Sequence, residues 1–194
     1  MSFCIGKDRL TNGAKILETN DRGALLELDK EGAGILIPEF LSRKERYFIF
    51  KVKVLEEHSV SMNLLIYGED PAEPVMNIRF GILPKLETQM CIDCTWFEGN
   101  VLFPENLAGD LKIVCHGRRI AQEEITRVEL SSLQAFHNQK IVLTDLDFVK
   151  EAPEVNLTDE KLVDAFGQNK RKEWKEKIHS EEELKEKMNC QLAE

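Results

Sequence analysis

The sequence predicts an all-β domain of about nine strands, a sandwich or a barrel, with a short C-terminal helical tail. Three observations carry this. Apolar and polar residues alternate at period two through most of residues 1–153, turn-forming clusters interrupt them at short intervals, and dense charge replaces the alternation after Pro153. Many short strands with almost no helix between them exclude alternating βα units.

Ala24 to Leu28 and Gly34 to Ile37 are short apolar runs around a Lys30-Glu-Gly-Ala-Gly34 turn. Tyr47 to Leu55 puts Phe48, Phe50, Val52 and Val54 on one face and Lys51 and Lys53 on the other. Glu56-Glu-His-Ser59 can turn the chain into Val60 to Tyr67, so the two segments are expected to pair as an antiparallel hairpin. Pro74 to Ile82 turns Met76, Ile78, Phe80 and Ile82 inward, with Asn77 and Arg79 outward. Thr88 to Phe97 aligns Met90, Ile92, Cys94 and Trp96. Leu111 to His116, Thr126 to Leu130 and Lys140 to Val149 complete the set, with one helical turn at Ala121-Gln-Glu-Glu-Ile125.

Residues 154–194 form the second segment, a charged linker with few apolar anchors, Phe166 and Trp174 among them. Ser180-Glu-Glu-Glu183 has the form of a capping box and predicts a short helix over about 181–190. So short a helix is not stable alone and needs a surface to dock on.

The chain has 194 residues and a net charge of −9, with a pI of about 5.1. That balance argues against nucleic acid, which requires a basic footprint, and against anionic membrane surfaces. It also disfavours strongly acidic polysaccharides in the absence of a local basic patch. No apolar run is long enough to span a membrane, and Met1 to Leu10 lack a charged region followed by a long apolar run, so no secretory signal is expected in them. Five scattered cysteines do not form a disulfide framework. A reduced, cytoplasmic protein is the expectation.

Cys91-Ile-Asp-Cys94 has zinc-knuckle spacing, and Cys115-His116 could complete four ligands. In a strand, however, positions three apart face opposite ways, and no turn is signalled between the two thiols. Asp145 and Asp147 could contribute to a calcium site, but two acids on one strand are usually its outer face. No metal and no cofactor are predicted. Of the four histidines, His58 and His137 fall in loops, His179 in the tail and His116 in a strand. No paired-carboxylate or nucleophile motif marks a catalytic site.

Sugar recognition leaves another trace, since pyranose C–H patches stack on aromatic faces and hydroxyls seek planar donor-acceptor side chains. Tyr67, sharing a face with Ser61 and Asn63, is one candidate; Asn77 and Arg79 on the next strand are two more. Arg118, beside Arg119 in a turn, supplies the rim. Trp96 is the aromatic platform candidate, although its parity puts it with Met90 and Ile92 in the core.

Several stretches form a familiar set: Arg79-Phe-Gly-Ile-Leu-Pro84, Cys91-Ile-Asp93, Leu102-Phe103, Gly117-Arg-Arg-Ile120, Thr126-Arg-Val-Glu-Leu130 and Ile141-Val-Leu-Thr-Asp-Leu146. They resemble the N-terminal galactose-binding-like jelly-roll domain of bacterial agarase-like glycoside hydrolases. Leu162-Val-Asp-Ala-Phe-Gly-Gln168, Glu173-Trp174 and Lys177-Ile-His-Ser-Glu-Glu-Glu-Leu184 resemble the segment that leads from that domain into a catalytic (β/α)8 barrel. Lys175 stands where that linker would have a proline-glycine turn, and the chain stops at Glu194 without a barrel. Since the family's catalytic carboxylates lie in the barrel, none is carried over.

The resemblance implies a jelly-roll β-sandwich over residues 1–153. It would be a non-catalytic carbohydrate-binding-like accessory domain for a neutral or galactose-type polysaccharide or oligosaccharide. The alternative is a docking platform for a catalytic barrel or partner subunit that binds no sugar itself.

Overall fold

The computed structural model describes residues 4–82, 84–95, 114–133 and 138–153. Within them lie ten strands: β1 Ala14–Asn20, β2 Gly23–Leu28, β3 Gly34–Leu36, β4 Tyr47–Val54 and β5 Val60–Tyr67, followed by β6 Met76–Ile82, β7 Glu87–Asp93, β8 Val114–Gly117, β9 Arg127–Ser132 and β10 Gln139–Val149. The helical tail expected near residues 181–190, and with it Phe166, Trp174 and His179, lies outside the described residues. So do Trp96 and His137.

The strands form two five-stranded antiparallel sheets, ordered β1-β2-β10-β4-β7 and β3-β9-β5-β6-β8. The fold is an all-β sandwich. The chain crosses between sheets after β2, β3, β4, β6, β7 and β9, which is the wrapping expected of a jelly roll.

Period-two alternation is expressed directly as burial. In β4, Phe48, Phe50, Val52 and Val54 are buried while Tyr47, Ile49, Lys51 and Lys53 are half-buried on the outer face. Opposite them, Met62, Leu64, Ile66, Ile78 and Phe80 line the inner face of the second sheet. Phe50 and Phe80 meet across the sandwich with ring centroids 6.0 Å apart. At one end Phe48 packs on Phe40, Phe50 and Phe148 at 5.0, 5.2 and 5.1 Å, within the range of favourable aromatic pairs. At another edge the Ser132 hydroxyl donates to Gln139 Oε1 (3.1 Å), a hydrogen bond between strands of the two sheets.

The expected β4–β5 hairpin is not formed. β4 pairs with β10 and β7, whereas β5 pairs with β6 and β9 in the other sheet. Residues 55–59 are therefore an arch that carries the chain over the core. Turn residues fix only a change of direction; sheet partnership is decided by strands far away in sequence.

β1, which carries little of the expected alternation, is an edge strand with burial confined to Ala14 and Ile16. A bulge between Ile16 and Glu18 breaks its period. A second bulge interrupts β10 between Thr144 and Asp147, with Asp145 at φ 55°. There the Asp145 carboxylate accepts from Arg22 Nε and Nη2 (2.9 and 2.6 Å) and lies 2.9 Å from Lys51 Nζ. The Arg22 hydrogen bonds, seconded by Lys51, hold its pKa down at about 2.

Candidate functional site

The outer face of the β3-β9-β5-β6-β8 sheet gathers most of the residues singled out from sequence. Tyr67 faces Arg127, Leu65 lies between Glu129 and Asn77, and Asn63 lies between Ser131 and Arg79. Asn77 in turn pairs with His116 and Arg79 with Val114 of β8. Three strands thus bring Tyr67, Asn77 and Arg79 onto one surface, together with Asn63, Glu129 and Ser131. Parity within each strand predicts this surface once its neighbours are known.

The chemistry of these groups is uneven. Arg79 is exposed and makes no ion pair with another described residue. Tyr67 is buried, with the Arg127 guanidinium 3.8 Å from its ring centroid and its hydroxyl donating to Glu129 Oε2 (3.3 Å). Burial drives the phenol pKa up, and Arg127 opposes that rise. Asn63 and Ser131 are buried although they point away from the core, and Asn63 Oδ1, Asn77 Oδ1 and Ser131 Oγ are enclosed without hydrogen-bond partners.

Where this sheet ends, the chain builds an open hollow of about 350 Å³, lined by Gly68, Glu69, Arg118, Ile120, Glu123, Glu124 and Thr126. Gly117, at φ 124°, turns the chain out of β8. A Cβ there would lie 2.1 Å from the Val75 carbonyl oxygen, so only glycine lets the two backbones approach this closely. Arg118 follows, its backbone N–H held by Val75 O (3.0 Å) and its side chain exposed. The expected single helical turn is a 3-10 turn over Gln122–Glu124. It is tied down by Gln122 Nε2 donating to Phe40 O (2.6 Å) and Glu124 N–H donating to Ala121 O (3.0 Å). Ile120 supplies a buried apolar wall, and the Thr126 hydroxyl fixes the loop by donating to Gly68 O.

Arg118, Glu69, Glu123, Glu124 and Thr126 thus border one open space above Ile120, with the Glu124 carboxylate also accepting from Ala121 N–H (3.4 Å). Such a set can donate to and accept from hydroxyls, while Ile120, buried beneath, forms the apolar floor. Glu69, Glu123, Glu124, Ile120 and Thr126 were not singled out from sequence. Arg118 marks the place, but nothing in a loop sequence says that residues 50 positions apart, such as Gly68 and Arg118, share a wall.

The two thiols of Cys91-Ile-Asp-Cys94 do not share a face. Cys91 pairs with outward-facing Ile49, and Cys94 is buried in the core after β7 ends. Burial pushes the Cys94 thiol up to about 12, so it stays protonated at neutral pH. Asp93 between them is held by Arg46 Nε and Nη2 (3.0 and 2.6 Å) and by the Thr95 hydroxyl (2.7 Å). Burial works against its charge, and these hydrogen bonds carry its pKa below the usual value. Asp145 is likewise committed to two cations.

No family model matches the sequence, and no curated protein matches it. Among solved structures the fold is similar to part of an exo-β-agarase, with a TM-score of 0.53 and 14% identity over 75% of this chain. The chain spans 23% of that protein's length. At this identity the likeness is one of fold.

Proposed function

We propose that this domain is a non-catalytic, carbohydrate-binding-like β-sandwich that holds a neutral or galactose-type glycan. The observation that carries the proposal is the open hollow in which Arg118 stands among Glu69, Glu123 and Glu124 beside the apolar Ile120. Sugars are bound largely by planar polar side chains that donate to and accept from hydroxyls, and Arg118 and the three glutamates of this lining are of that kind. Arg79 is the second exposed guanidinium of the candidate set, and Tyr67 and Asn77 lie on the sheet between it and the hollow's edge. The fold shared with part of an exo-β-agarase supports galactans as the first ligands to try. The reading assigns this chain a holding role beside a glycoside hydrolase-type barrel and gives it no catalytic step.

The test is retention of the purified chain on insoluble polysaccharides, agarose and other galactans included. Saturable retention on a neutral galactan, weakened tenfold or more by Arg118→Ala with folding unchanged, is the expected result. Equal retention of the variant moves the site away from the hollow. No retention on any glycan leaves the sandwich as a docking platform.

A further inference from the structure

From the shape of the hollow and the state of the sheet beside it, we infer that this domain takes a short glycan or the end of a chain, one or two sugar rings long. It is not a flat track for the middle of a polysaccharide. The inference rests on the glycan reading above and adds the form of the ligand.

The first observation is size. At about 350 Å³ the hollow lies at the small end of ligand pockets. It encloses one or two rings, and any further run of chain would have to lie outside it.

The second is that the neighbouring sheet does not continue the site. A chain lying lengthwise needs a row of exposed aromatic faces or free hydrogen-bonding groups in line with the pocket. Tyr67, the residue before hollow-lining Gly68, has Arg127 over its ring and Glu129 on its hydroxyl. Beyond it Asn77 Oδ1, Asn63 Oδ1 and Ser131 Oγ are enclosed. Arg79 is the exposed polar side chain left on β6. Among the described residues, a glycan seated beside Arg118 therefore finds its contacts within the hollow.

The third is composition. The lining groups stand on three separate segments, Gly68–Glu69, Arg118–Ile120 and Glu123–Thr126, so polar atoms approach a seated ring from several sides. That arrangement suits the many hydroxyls of a terminal ring better than a strand passing over a flat face.

Calorimetric titration of the full chain with agarose-derived oligosaccharides of two, four and six rings tests this. Affinity is expected to change by less than about threefold across the series, with one oligosaccharide per protein and loss of binding in Arg118→Ala. Glu123→Gln serves as a second variant should Arg118→Ala misfold. Agarose trimmed to shorter chains, which has more ends per unit mass, should bind more protein. An affinity that rises about tenfold or more from two rings to six, or a capacity indifferent to chain length, overturns the chain-end inference and leaves the glycan reading standing. Failure of every oligosaccharide and of the polymer overturns the glycan reading and this inference together.

Discussion

On the outer face of the β1-β2-β10-β4-β7 sheet, several cations and carboxylates pair. Lys15 pairs with Glu27 and Asp29, Arg46 with Asp93, and Arg22 and Lys51 with Asp145. On the outer face of β3-β9-β5-β6-β8 ion pairs are fewer among the described residues. Arg127 is engaged by Tyr67 and Glu129, yet Arg79 has no ion-pair partner among the described residues, and Asn63, Asn77 and Ser131 keep enclosed oxygens without partners. Both sheets contribute fully to one core, so stability alone does not explain the difference. Exposed Arg79 and three enclosed side-chain oxygens lie on the second sheet, and the hollow with Arg118 opens at its end.

The comparison can be broken most forcefully at the core that the sheets share. Phe48→Ala removes a fully buried ring from the four-phenylalanine cluster and should destabilise by about 3–5 kcal/mol in urea unfolding. A loss under about 1 kcal/mol would mean that the aromatic cluster is not packed as described.

On the ion-paired face, Asp145→Asn should cost on the order of 1 kcal/mol at pH 7, since its pairs are partly solvated. The carboxyl is depressed to about 2 in the folded chain, so its stabilisation is complete above the usual carboxylate range near ~4. It is lost as pH falls through about 2. Stability curves of variant and parent should converge in that window, and a gap that persists below it would assign the effect to the bulge backbone.

Adjacent serines sharpen the contrast further. Ser132→Ala breaks the hydrogen bond to Gln139 and should cost about 1 kcal/mol. Ser131→Ala deletes a buried hydroxyl without a partner and should be neutral or stabilising by up to about 1 kcal/mol. Equal losses at the two sites would mean that the Ser131 hydroxyl of β9 is as well partnered as that of Ser132. Smallest of all, Arg79→Ala should leave stability within about 0.5 kcal/mol, and retention of a glycan seated in the hollow should be unchanged by it.

The strands themselves were legible because burial follows alternation. Val60–Tyr67 is found at its expected bounds, and Tyr47 to Leu55 differs from Tyr47–Val54 by one residue. β1 was missed because an exposed, bulged edge strand has no inner row to repeat. Thr88 to Phe97 was read too long, since β7 ends at Asp93, where Arg46 and Thr95 take the carboxylate and Cys94 begins a turn. Pairing was not legible, as the β4–β5 arch shows. Of the candidate site, Tyr67, Asn77 and Arg79 on one face followed from parity, and Arg118 from its turn. The acidic and apolar walls of the hollow depend on loops meeting in space, which local pattern does not encode.

The place of β10 has a consequence for how the protein is made. This strand, Gln139–Val149, lies in the middle of its sheet between β2 and β4, joining β1-β2 to β4-β7. Until it is synthesised those two pairs have no common neighbour, and the opposite sheet has only half a core to pack on. Formation of the sandwich must wait for some of the longest-range pairings in the domain, which places it among slow, high-contact-order folders. A ribosome-bound chain that stops before residue 139 should expose apolar inner faces, and it is at that stage that a chaperone has most to hold.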